Sequence, residues 1–105
     1  MKRLDACWFG RVSYGTALKI MEHFVAQVAG GGSEVLLLME HPPVVTMGRS
    51  ASEEHLLLSR EGYALRGFEL HRIGRGGDVT YHGPGQMIAY IMVDLRRRGM
   101  GIRQL

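Results

Sequence analysis

At 105 residues and 11.7 kDa the chain has room for one domain and not for two. A hydrophobic content of 46% with 22% charged residues is ordinary for a globular protein and excludes disorder, collagen and coiled coil. The net charge of +3 is too mild to imply nucleic-acid binding, and the single cysteine, Cys7, excludes an internal disulfide. No apolar run approaches the ~20 residues that span a bilayer. The apolar part of the N-terminus is too short for a signal sequence and is interrupted by Asp5, so a soluble, cytoplasmic protein is expected. Two features of the composition stand out. Glycine supplies 15 residues, about twice its usual ~7%, and 11 of the 13 cations are Arg, whose forked guanidinium suits carboxylates and phosphates.

Along the chain, Asp5 to Phe9 has the character of a short strand. Tyr14, Ala17, Leu18, Met21, Phe24, Val25 and Val28 recur at helical spacing, with Ser13 placed as N-cap and Gly30-Gly31-Gly32 as terminator. Val35 to Met39 is an unbroken apolar run, the signature of a strand buried on both faces. Val44 to Met47 predicts a further strand beyond Pro42-Pro43, and Ser52 with Glu53 and Glu54 predicts a short capped helix. Strands are expected at Phe68 to Ile73, Val79 to Tyr81 and Gln86 to Val93, the last two joined by a turn at His82-Gly83-Pro84-Gly85. Interspersed strands and helices with short turns indicate an α+β fold on a mixed, largely antiparallel sheet with packed helices. Arg96-Arg97-Arg98 has the look of a solvated charged loop, or of a patch that attracts an acidic partner. Ile102 and Leu105 then open a helical stripe that stops before it can bury anything, which suggests an incomplete domain.

The chemistry-bearing residues concentrate between Gly74 and Gln86, where five glycines, a proline, Arg75, Asp78, Tyr81 and His82 fall together. Two tight turns around a strand would explain the glycines by themselves. Donors alternating with glycines would equally suit a wall for a carbonyl, carboxylate or phosphate. Phosphate fingerprints do not fit: no Lys follows the glycines, and neither Gly74-x-Gly76 nor Gly83-x-Gly85 has the third glycine of a dinucleotide loop. The five histidines show no metal-ligand spacing, and no metal site is expected. His23 and His55 are expected on solvated helix faces, leaving His82 as the one candidate histidine. Cys7, beside Trp8 and Phe9 and without a local base, has the setting of a buried structural thiol.

The segment Arg75-Gly76-Gly77-Asp78-Val79-Thr80-Tyr81-His82-Gly83-Pro84-Gly85-Gln86 resembles the signature of lipoyl(octanoyl) transferases, in the lipoate/biotin ligase-like superfamily. Phe9-Gly10 with Tyr14, Glu40-His41-Pro42-Pro43 through Arg49, and Asp94-Leu95-Arg96-Arg97 are similar to further landmarks of that family. The resemblance implies that residues 1–105 are the N-terminal part of a single such catalytic domain. It implies transfer of an octanoyl group from acyl carrier protein to a lysine of lipoyl domains, those of 2-oxoacid dehydrogenases and the glycine cleavage H protein. It also implies a cysteine acyl-enzyme, no cofactor, and no nucleic-acid or membrane partner. Carried over by position, Arg75, Gly76, Gly77, Asp78, Val79, Thr80, Tyr81 and His82 would contact the acyl substrate. The family's cysteine and lysine lie in its C-terminal half, and neither Cys7 nor Lys2 or Lys19 matches them, so no catalytic residue is expected within this chain.

Two other functions fit less well. An ATP-dependent lipoate- or biotin-type ligase would carry a longer glycine run followed by His-Asp, whereas Gly77 is followed by Asp78 and His82 by Gly83. A non-enzymatic module binding an acidic partner would rely on the Arg residues, with little aromatic interleaving.

Overall fold

The computed structural model describes residues 4–99 and 101. The stripe expected from Ile102 and Leu105 lies outside the described residues. The described elements run β1 (Asp5–Arg11), α1 (Tyr14–Ala29), β2 (Val35–Glu40), β3 (Val44–Met47), a 3-10 turn (Glu53–His55), α2 (Arg60–Leu65), β4 (Glu69–Arg72), β5 (Val79–His82), β6 (Ile88–Met92) and α3 (Leu95–Arg98). The α+β class with mixed sheet is what the sequence indicates. It takes the form of two three-stranded sheets, ordered β1-β2-β6 and β4-β3-β5, each with one parallel and one antiparallel pairing.

In the first sheet β2 is central, and its alternate residues Val35, Leu37 and Met39 are buried beneath α1. Ala17, Ile20, Met21 and Phe24 of the helix complete that core, with Tyr90 and Met92 from β6. The helix starts where the sequence places it: Ser13 Oγ accepts from the Thr16 N–H at 3.3 Å. Burial on both faces of β2 is not met. Leu36 and Leu38 are only half-buried, because α1 covers one side of the sheet and no described element packs on the other. Cys7, paired in register with Leu37, is likewise half-buried rather than enclosed. Between Trp8 and Arg11 the register with β2 slips by one residue. Gly10 supplies the positive φ of 73° in this bulge.

In the second sheet β3 is central and fully buried. The short helix expected after Ser52 is one 3-10 turn, ended by Leu56 in extended conformation. Helix α2, which the pattern does not announce, is six residues capped by Ser59, whose hydroxyl accepts from the Gly62 N–H at 3.0 Å. Gly62 and Gly67 obscure it in the sequence, since glycine weakens a helical stripe.

The Arg96–Arg98 run is a helical turn rather than a loop. Asp94 caps it, and Gly99 closes it in the left-handed conformation at φ 63°. Two of its cations turn inward. Arg97 donates to the carbonyls of Val28, at 2.6 Å, and Gly32, at 2.9 Å, placing a cation at the C-terminal end of α1. Arg98 donates to both oxygens of buried Glu34 at 3.1 Å, and the Asp94 N–H donates to the same carboxylate at 2.7 Å.

These bonds, that of Arg98 foremost, hold the Glu34 carboxyl below the ordinary carboxylate range. A group lowered in the folded state contributes stability that is fully present above its unfolded pKa and lost as pH falls through the folded value. Glu34→Gln should therefore lower the melting temperature at neutral pH. It should also flatten the fall in stability below about pH 4, as followed by circular dichroism. An acid limb as steep as that of the parent chain would contradict the assignment.

Candidate functional site

Strand alternation divides β5 between the two faces of the second sheet. Thr80 and His82 share one face with Val44 and Thr46 of β3 and Glu69 and His71 of β4. Val79 and Tyr81 share the other with Val45, Met47, Leu70 and Arg72. The second face is apolar and aromatic. Phe68 stacks between Tyr63 and Tyr81 with ring centroids 5.8 Å from each. A groove of about 360 Å³ there is lined by Val45, His55, Leu57, Phe68 and Tyr81 among others.

The first face is polar and meets the N-terminus of α1. Glu69 accepts from the N–H groups of Tyr14, at 2.9 Å, and Gly15, at 3.2 Å. Its other partner is His71 Nε2, 3.0 Å from Oε2. The Tyr14 ring lies 5.0 Å from that of His71 and 5.4 Å from that of His41. His41 is fully buried, with Nδ1 2.7 Å from the Val12 carbonyl and Nε2 2.8 Å from the Tyr90 hydroxyl. A carbonyl only accepts, so Nδ1 carries a proton, and in the neutral ring Nε2 accepts from Tyr90. Helix α1, the residue after β2, and β6 thus contribute Tyr14, His41 and Tyr90, and the second sheet contributes Glu69 and His71.

Burial sets the electrostatics. It raises the Tyr90 phenol to about 12, with the neighbouring Tyr14 adding to the rise. Burial also raises Tyr14, partly countered by the Arg75 charge. For Glu69 burial acts upward, but the bonds from His71, Tyr14 and Gly15 outweigh it and the carboxyl is lowered. Both tyrosines stay neutral donors at physiological pH, beside a carboxylate that stays ionised.

Arg75 stands over this face and is turned into the protein. Its Nη2 lies 3.0 Å from the Thr46 carbonyl, 2.9 Å from each of the Thr46 and Thr80 hydroxyls, and 3.1 Å from the Asp78 carbonyl. Nη1 donates to the Gly76 carbonyl at 2.8 Å. The loop it gathers is laced to residues 48–50: Gly48 N–H to Asp78, Arg49 N–H to Arg75, and Ser50 N–H and hydroxyl to Gly77. Gly77 itself takes φ 88°. Gly76, Gly77 and Asp78 are exposed at the loop tip, where the Asp78 carboxylate pairs with His55 at 2.6 Å. His82 Nδ1 is 3.2 Å from the Gln86 side-chain oxygen.

The eight segment residues are therefore not one wall. Arg75, Thr80 and His82 belong to the polar face, Val79 and Tyr81 to the aromatic groove, and Gly76 to Asp78 to the loop between. Glu69, His71 and Tyr90 join the polar face without a sequence motif to mark them. Tyr14 and His41 stand in landmarks of the family resemblance, but neither is singled out there as a site residue, and Tyr14 reads as one more core position of an amphipathic stripe. Among the described residues no base is hydrogen-bonded to the Cys7 thiol, and no group of three or more His, Cys, Asp or Glu is placed to hold a metal ion.

A side chain at Gly48 would collide with the carbonyls of Gly76 and Gly77 and with Arg75, whereas Gly74 has open space around it. Gly48→Ala should loosen the loop and speed tryptic cleavage after Arg75, and Gly74→Ala should leave it near the parent rate. Equal rates would show that the lacing does not hold the loop. Tyr90→Phe leaves His41 without its hydroxyl partner and should cost about 1–3 kcal/mol, measured by urea unfolding.

Residues 13–105 match the lipoyl protein ligase A/B catalytic domain. The chain is 47% identical to an octanoyltransferase of Thiobacillus denitrificans over 96 residues, covering 91% of this chain and 41% of that protein. It is 46% identical to one from Acidobacterium capsulatum, covering 89% and 38%, and 40% identical to one from Caldicellulosiruptor saccharolyticus, covering 97% and 44%. The chain spans about two fifths of the length of these relatives and matches their N-terminal part. By its sequence, and with a fold to match, the chain belongs to the lipoyl protein ligase A/B catalytic domain family.

Proposed function

We propose that this chain is the acyl-binding portion of an octanoyltransferase, which moves an octanoyl group from acyl carrier protein to a lysine of lipoyl domains in the cytoplasm. The observation that carries this reading is the pinned loop from Arg75 to Asp78, set above a polar face beside a neutral Tyr14 phenol. Relatives named as octanoyltransferases, at 40–47% identity, favour transfer over ATP-dependent ligation. In this scheme a thiolate takes the acyl group from the carrier thioester and the carrier thiol leaves. A lysine amine then attacks the acyl-enzyme and regenerates the thiol, so that one acyl transfer becomes two easier ones.

This chain's residues bind and orient. Thr80 and His82 line the polar face, and Arg75 fixes the glycine backbone. Exposed Gly76 and Gly77 let an acyl chain approach that backbone closely. The thiol and lysine come from the stretch that follows the matched part in the longer relatives. The binding-module alternative is weakened because Arg97 and Arg98 are engaged with α1 and Glu34, leaving Arg96 as the outward cation of the run.

The test uses octanoyl-acyl carrier protein, a lipoyl domain and mass detection of the octanoylated lysine. The 105-residue chain should show no turnover. A chimera continuing it with the C-terminal remainder of the Thiobacillus denitrificans enzyme should transfer without ATP. In the chimera, Arg75→Ala and His82→Ala should each lower kcat/KM about ten-fold or more, as loss of a positioned contact does. His23→Ala, on the far part of α1, should change it little. Strict dependence on ATP, or equal effects of all three substitutions, would overturn the reading.

A further inference from the structure

We infer that the face of the first sheet opposite α1 is the seat of the C-terminal part of the octanoyltransferase fold, the stretch that follows the matched region in the relatives. The inference rests on the family membership and goes beyond it by naming the surface. The registers Ala6–Leu36–Ile91 and Trp8–Leu38–Ala89 set six apolar side chains side by side across all three strands on this face. Trp8 is 58% exposed and Ile91 50% exposed, and even on the central strand Leu36 and Leu38 are only half-buried. A solvated sheet face alternates with polar residues; the unbroken apolar run of β2 is instead the pattern of a strand covered on both sides. One cover is α1, and the second is absent from the described residues.

Length identifies the occupant. The match covers 41% of the Thiobacillus denitrificans protein, so more than half of a related chain remains to be placed. A sheet whose second face is apolar from edge to edge offers it a core. Among the described residues, ion pairs stand at the two ends of β2, Arg98–Glu34 at 2.9 Å before it and Arg11–Glu40 at 2.8 Å at its close, and the six side chains between them carry no charge.

Hydroxyl-radical footprinting read by mass spectrometry tests this. Oxidation at Trp8 and Ile91 is compared between the isolated chain and the chimera, with exposed Leu65 as internal reference. Labelling of Trp8 and Ile91 should fall several-fold in the chimera while Leu65 is unchanged. Unchanged labelling in a folded chimera overturns the proposal. So does protection that grows with concentration in the isolated chain, which would mean that a second copy covers the face. Octanoyl transfer by the same chimera reports separately on the family reading, since an active chimera with Trp8 still exposed sinks this proposal alone. In the isolated chain, Trp8→Glu with Ile91→Glu should lower binding of an apolar dye several-fold at unchanged far-ultraviolet circular dichroism. Undiminished dye binding would place the open apolar surface elsewhere, and the proposal would fall even if the chimera did not fold.

Discussion

The carboxylate of Glu69 stands on β4 in the second sheet and accepts from the first two N–H groups of α1, which packs on the first. An anion at a helix N-terminus satisfies donors that have no intrahelical partner and complements the helix dipole, worth about 1 kcal/mol in a partly buried setting. Its structural consequence is larger than that energy. With the helix start fixed against β4, Tyr14 is carried between His41 and His71, and the polar face is assembled from both sheets. At the other end of α1, Arg97 supplies the complementary cation to the Val28 and Gly32 carbonyls. The helix is thus held at each end by a charge from a distant part of the chain.

Local structure was legible wherever a single periodicity governed it. The α1 stripe with its Ser13 cap, the apolar β2 run and the short β3 all follow from spacing, because each buries one pattern against one neighbour. The site was legible only in part. Glycines marked Arg75 to His82 because a loop laced closely to residues 48–50 needs backbone without side chains, as the crowding around Gly48 shows. Glu69, His71 and Tyr90 leave no comparable mark, and the landmarks that hold Tyr14 and His41 do not say what the two side chains meet. Each sits singly on a different element, and only tertiary packing brings them together. The Arg96–Arg98 turn reads as a solvated run for the same reason: the partners of Arg97 and Arg98, the end of α1 and Glu34, lie more than sixty residues away in sequence.

The glycine segment shows how one motif can serve two surfaces. A strand's side chains alternate, so Val79 and Tyr81 face the aromatic groove while Thr80 and His82 face the polar site. A resemblance that treats the segment as one contact set cannot separate these. The geometry does, and it also shows Arg75 holding the loop. Five hydrogen bonds to backbone and hydroxyl oxygens fix a guanidinium more firmly than a single bound ligand would. A fork with several donors is what makes Arg, rather than Lys, fit there.

The strand β2 carries the remaining tension between sequence and structure. Hydrophobic patterning is selected by what a strand touches in the working protein, so an apolar residue left half-exposed records a contact that these residues do not make among themselves. Leu36 and Leu38 are such residues, and the cross-strand neighbours Trp8 and Ile91 repeat the statement on either side. Covering a sheet face of this kind contributes about 25 cal/mol per Å² of apolar surface, a large share of the stability of a domain this size. The polar face, by contrast, is already braced by Glu69, Arg75 and the buried His41–Tyr90 pair before any second cover is added. The two features therefore lie on different surfaces of this chain: the polar face is held by hydrogen bonds between β4 and α1 and around Arg75, and the open apolar side chains lie on the opposite face of the first sheet.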